Sequence, residues 1–228
     1  MATYESLLPD IIPMVQNCPD SLIESNIRSA VIELCEKAGV YQAELDPITT
    51  VSGIYEYDLE PPTDTAVHKI MWVLFNGDAL EPISTSLLEE RKPKWREPSY
   101  YGTPEYFVKQ SRSLFYLVPV PNETTANSTR LRVQLKPLHT STSCNDDIMD
   151  DYREAIVNGT LFRLLRMPSR DWTDFQGADV YRSLYNVGLV EAERKAQQSD
   201  TGVARKVRYG GPFLPLNRRR NRYGREIR

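Results

Sequence analysis

Apolar positions in this chain recur at a helical period near both ends and at a two-residue period between them. Leu22, Ile23, Ile27, Ala30, Val31, Leu34 and Ala38 fall at helical spacing and form one apolar stripe. Pro19, Asp20 and Ser21 open helices and Gly39 closes them, so one helix is predicted between these signals. A shorter apolar piece, Leu7 to Val15, precedes it and is interrupted by Pro9 and Pro13.

From Tyr41 to Thr142 the pattern changes to short alternating or β-branched runs. They are Ile48–Val51, Ile54–Tyr57, Val67–Phe75, Tyr106–Val108, Leu114–Val118 and Leu131–Leu135, separated by turn signals such as Ser52-Gly53, Pro61-Pro62 and Gly102-Thr103-Pro104. Asn76-Gly77, between Phe75 and Leu80, is the clearest hairpin signal. Most of the 16 prolines lie in this zone, where they suit strand edges and loops and would break long helices.

Helical spacing returns after Asn145. Ile148, Tyr152, Ala155, Ile156, Phe162 and Leu165 form a stripe that encloses Gly159 and ends at Pro168. Asp171 or Thr173 is expected to start the next helix. That helix has two apolar sides. Phe175, Ala178, Arg182, Tyr185, Leu189, Ala192 and Ala196 lie on one, and Val180, Leu184 and Val187 on the other. Two apolar sides require two neighbours: one is the helix's own core, and an adjacent subunit is a natural second. Residues beyond Ser199 show no periodicity and contain Gly202, Gly210-Gly211-Pro212, Pro215 and Gly224.

The expected fold is α+β. A helical bundle (residues 1–40 and 145–199) carries an inserted antiparallel β subdomain (41–144), and an extended arm (200–228) follows.

Charge sharpens this division. The net charge is −3, yet residues 201–228 hold nine Lys/Arg against Glu226 alone, and residues 1–200 hold 19 bases against 30 acids. An acidic body with a basic tail points to an acidic partner surface or to nucleic acid. The tail sets Phe213-Leu214-Pro215-Leu216 ahead of Arg218-Arg219-Arg220-Asn221-Arg222-Tyr223. Arginine offers a planar fork to carboxylate or phosphate, and the apolar stretch favours a protein groove over phosphate alone. A solubilising terminus is the plain alternative. Arg91 to Arg96, followed by Tyr100-Tyr101, interleaves bases with aromatics, which suits an interface or base stacking.

Other chemistry is sparse. Three cysteines and two histidines form no metal-ligand spacing, and Asp146, Asp147, Asp150 and Asp151 read as helix-start acids rather than a metal or acid–base site. No nucleophile motif or phosphate loop is present, so no catalytic residue, metal or cofactor is expected. No run approaches the roughly 20 apolar residues that span a bilayer, and the start lacks a signal-peptide pattern, so a reducing, cytoplasmic assembly site is expected.

The later helices carry a recognisable pattern. Tyr152-Arg153-Glu154-Ala155-Ile156 leads through Gly159, Leu161, Arg163, Leu164 and Leu165 to Met167-Pro168. Trp172, Asp174, Ala178, Tyr181-Arg182, Tyr185, Glu191-Ala192 and Lys195-Ala196 follow. This resembles the paired C-terminal helices of tailed-bacteriophage head-tail adaptor (connector) proteins, the group that includes tail tubular protein A of short-tailed phages. Ile27, Arg28, Ala30, Leu34 and Cys35 fit its first helix, and Tyr55-Glu56-Tyr57-Asp58-Leu59 through Asn76-Gly77 fits its β insertion. The resemblance covers residues 4–200 in element order.

It implies a homo-oligomeric ring, usually of twelve copies, assembled in the host cytoplasm and placed at the portal vertex of the virion. Such a ring joins the portal protein to a tail nozzle or tube protein, and DNA passes through it without sequence-specific binding. Phe213, Leu214, Leu216, Arg218, Arg219, Arg220, Arg222, Tyr223 and Arg225 would then form an arm that docks on the portal. Phe175, Tyr181, Tyr185 and Leu189 would form the subunit contact, and Trp95, Tyr100 and Tyr101 the tail-protein contact. Two other classes stay open: a nucleic-acid-binding protein using the basic tail, and a metal-dependent hydrolase built on the paired aspartates.

Overall fold

The computed structural model describes residues 1–198. In chain order the strands and α-helices are β1 (Ala2–Thr3), α1 (Leu8–Ile11), α2 (Asp20–Ala38), β2 (Gln42–Thr50), β3 (Glu56–Asp58), β4 (Thr65–Phe75), β5 (Asp78–Ala79) and β6 (Glu81–Pro82). There follow α3 (Thr85–Arg91), β7 (Tyr106–Lys109), β8 (Leu114–Val118), β9 (Thr125–Pro137), β10 (Ser143–Cys144), α4 (Asp146–Asp151), α5 (Arg153–Leu165) and α6 (Phe175–Gln198). The fold is α+β, as the periodicities predict.

Helix α2 begins after Pro19 and ends at Gly39, whose φ of 66° is the left-handed conformation that closes helices. Its stripe, including Ile23, Ile27, Val31 and Leu34, packs against Ile156, Leu161 and Leu164 of α5 and against Ala178, Tyr185 and Leu189 of α6. Leu7, Ile11 and Val15 of the N-terminal segment complete this core. An ion pair from Arg163 on α5 to Glu33 on α2 ties the two helices at their half-buried edge. Burial raises the Glu33 pKa, but Lys37 and Arg163 outweigh it and hold the carboxyl below its usual value.

Two four-stranded sheets lie between α2 and α4 in sequence. Their orders are β2-β9-β4-β5 and β3-β8-β7-β6. Val67, Ile70, Val73, Phe75, Leu131, Val133 and Leu135 from the first face Tyr57, Phe107, Phe115 and Leu117 from the second. Inward residues on β4 do not alternate strictly, because register shifts after Val67 and after Ile70 each let the strand skip a position. The half-buried Lys109 ammonium on β7 spans the first shift and donates to the carbonyls of Val67 and His68. At Asn76-Gly77 both residues have positive φ (49° and 95°), and Phe75 pairs with Asp78, so the predicted two-residue hairpin is present.

Gln134 of β9 links the sheets to the bundle. Its buried amide donates to the carbonyls of Cys35 (2.6 Å), which also accepts from the Gly39 N–H, and Glu36 (3.1 Å) in the last turn of α2, where the helical ladder runs out of donors.

Four details depart from expectation. Among the named strands pairing is antiparallel except for β6 with β7, which run parallel, and an isolated bridge between Gly102 and Pro121 is parallel too. A short helix, α3, stands within the β zone; Ser84 caps it by accepting from the Leu87 N–H, and only Leu88 is buried, too little to produce a period. The helical stretch after Asn145 divides at Tyr152, which takes φ −114° and ψ 20°. Helix α6 starts at Phe175, with the Asp174 carboxylate accepting from the Gln176 and Gly177 N–H groups; Thr173 instead donates its hydroxyl to the Met167 carbonyl and braces the loop.

Candidate assembly surfaces

Helices α5 and α6 approach closely because small residues stand where they meet. A Cβ at Gly188 would lie 2.9 Å from the Ala155 Cβ, and one at Gly159 would lie 2.8 to 3.1 Å from the Tyr185 ring. Each distance is shorter than packed carbons tolerate. The glycines therefore select which side of α6 turns inward. Tyr185 is 2% exposed, and its hydroxyl donates to the Ala30 carbonyl at 3.2 Å. Burial, chiefly, pushes its pKa far up, so it stays a neutral phenol.

The other side of α6 has no apolar partner among the described residues. Val180, Leu184, Val187 and Val190 are 59%, 46%, 58% and 66% exposed and recur every three or four residues. They span about 15 Å of helix. Leu184 and Val187 also line a groove of about 310 Å³ between α5 and α6, whose far wall includes Glu154 and Asn158. An apolar stripe continuous with a groove marks an association surface.

This arrangement corrects the expected subunit contact. Tyr185 and Leu189 belong to the subunit's own core and cannot face a neighbour, because the inward side of α6 is the glycine-facing one. Tyr181 is partly buried against the same core, and Phe175 is 58% exposed at the start of α6. Val190 continues the outer stripe without having been singled out, although its spacing from Val187 carries the signal.

A second surface lies on the outer face of the sheet β3-β8-β7-β6. Trp95 packs there with Leu88, Val108, Val118 and Val120 and is 2% exposed. Tyr55 meets it edge-on at 5.1 Å between ring centroids, and the Arg96 guanidinium stands 4.6 Å from its ring centroid. The expected tail contact at Trp95, Tyr100 and Tyr101 thus divides. Trp95 is a buried support, Tyr101 packs partly against it, and Tyr100 is 51% exposed.

The expected docking arm, from Phe213 to Arg225, lies outside the described residues. Asp146 and Asp147 occupy the first turn of α4, where Asn145 caps the helix by accepting from the Asp147 N–H. Among the described residues no group of three or more His, Cys, Asp and Glu side chains is placed to hold a metal ion. Nor is any described helix long and apolar enough to cross a membrane.

A folded body whose main unsatisfied features are apolar surfaces has the character of an assembly component. The model of the SU10 adaptor protein family matches residues 2–209, nearly the whole chain, so the chain belongs to this family of phage adaptor proteins. The likeness to head-tail adaptors expected from the later helices holds at the level of family. No curated protein matches the chain.

Proposed function

We propose that the protein forms a ring that joins the portal to the tail of a phage particle and carries the DNA channel between them. The observation that bears most weight is the outer side of α6, where Val180, Leu184, Val187 and Val190 stand exposed beside an open groove. A second copy of the chain would bury that stripe, with Phe175 and Tyr181 at one end of the contact. A head-to-tail contact, in which the stripe of each copy meets a different surface of the next, builds a ring where its rotation closes, and the resemblance to head-tail adaptors implies about twelve copies.

The acidic body, with 30 acids against 19 bases over residues 1–200, suits a conduit wall that repels phosphates. The basic segment from Phe213 to Arg225 suits an arm that reaches the portal, its Phe-Leu-Pro-Leu stretch anchoring and its arginines pairing with carboxylates. Tyr100 and Tyr101, supported by Trp95, would meet the nozzle or tube protein below. In this reading the subunit is made in the host cytoplasm and ends at the portal vertex.

Electron microscopy of the purified chain mixed with portal rings of its own phage tests the reading. Portals should gain one added layer of density with the portal's own axis. Portals that remain bare at micromolar concentrations of the chain would refute it.

A further inference from the structure

The exposed Tyr100 stands over a pocket of about 250 Å³ whose walls are Pro93, Trp95, Val118 and Pro119. Small-molecule sites usually enclose about 300–1,000 Å³, so this space suits one or two side chains. Its floor is set in advance. Tyr55 and Arg96 hold Trp95 in place, and Val118 is fully buried behind it.

The rim gives the pocket its chemical character. Arg91, Lys92 and Lys94 line it, and no carboxylate does. Lys92 reaches Glu105 only at 3.9 Å and Lys94 reaches Glu97 only at 3.8 Å, in exposed pairs of little energetic weight. Arg91 has no ion pair among the described residues. An apolar cup ringed by cations fits an apolar side chain flanked by carboxylates. It fits a nucleobase less well, because stacking needs open ring faces, and Trp95, already covered by Arg96 and 2% exposed, offers almost none, which leaves Tyr100 as the exposed ring in the lining.

We propose that this pocket captures a segment of a partner protein that presents a large apolar side chain between acidic residues. The proposal rests on the reading that the Tyr100 face meets the next tail component, and it specifies the chemistry of that contact. The apolar side chain seats against Pro93, Tyr100 and Pro119, with Trp95 as the buried support beneath them, and the flanking carboxylates pair with Arg91, Lys92 and Lys94.

A fluorescent nine-residue peptide with a central Leu-Phe pair and flanking Asp and Glu tests this by anisotropy on the full chain. Three competitors accompany it: a peptide with Lys for the acids, one with Ala for the Leu-Phe pair, and a single-stranded oligonucleotide. The acidic apolar peptide should bind, and each competitor should be at least tenfold weaker. The Lys92→Glu/Lys94→Glu double variant, checked for an unchanged melting curve, should also bind at least tenfold more weakly. Arg91→Glu gives the same readout should that pair fail to fold. No binding, equal binding of the Ala peptide, or tighter binding of the oligonucleotide overturns the proposal.

A pull-down of the tail component with Tyr100→Glu separates the two ideas. If that variant loses the tail component while the peptide does not bind, the contact stands and its proposed chemistry fails. If it retains the tail component while the peptide binds, the pocket's chemistry stands and the tail-contact reading fails.

Discussion

At the scale of single residues, two side chains are committed to positions that a sequence pattern does not reveal. Lys109 looks like an ordinary strand lysine, yet its ammonium is the donor for the Val67 and His68 carbonyls at the irregularity in β4. Burial first, and then the nearby Lys136 and Arg112 charges, lower its pKa. Lys109→Met keeps the stem and removes the donor, leaving partly buried carbonyls unpaired. A loss of about 1–3 kcal/mol in urea unfolding is expected; an unchanged midpoint would show that water replaces the ammonium. Tyr185 gives the opposite lesson. Its hydroxyl on Ala30 is one contact, and Ala30 lies mid-helix with its carbonyl already in the helical ladder, so Tyr185→Phe should cost about 1 kcal/mol or less. Gly159→Ala should cost more, about 1–3 kcal/mol, because the new methyl meets a ring with nowhere to move. Thermal melts of the two variants side by side check the order.

Elements differ in how far local pattern determines them. Helix α2 was legible because its start, stripe and stop all occur within twenty-odd residues and agree. The Asn76-Gly77 hairpin was legible because positive φ at two successive positions has few sequence solutions. Helix α3 was not, since a single buried leucine has no period. The β4 register shifts and the β6–β7 pairing were not legible either, because both depend on strands far away in the chain. Helix α6 falls between. Its two apolar sides were visible, but the choice of inner side depends on Gly159 and Ala155, which sit on another helix. The outer side therefore carries the assembly prediction. Val180→Asp/Val187→Asp alters only exposed positions, so the melting temperature should stay within a degree or two, while oligomers in native mass spectra should disappear. A variant that still assembles would move the subunit contact off α6.

On the scale of the whole molecule, the charge division makes a prediction that the helices do not. Residues 1–197 form a compact unit with its own cores, so a chain ending at Ser199 removes seven net positive charges and no core residue. It should express as a folded protein, with circular dichroism and melting temperature close to those of the full chain. It should also lose portal binding, because the apolar anchor Phe213-Leu214-Pro215-Leu216 and the arginines after it are gone. A control separates anchor from charge. Replacing Phe213, Leu214 and Leu216 by serine keeps every arginine, so a latch that needs an apolar groove should fail, whereas an attraction of charge alone should persist and fade with salt. Full portal binding by the shortened chain at physiological ionic strength would assign the portal contact to the folded body, with the α6 stripe or the Tyr100 face as the surfaces left to make it.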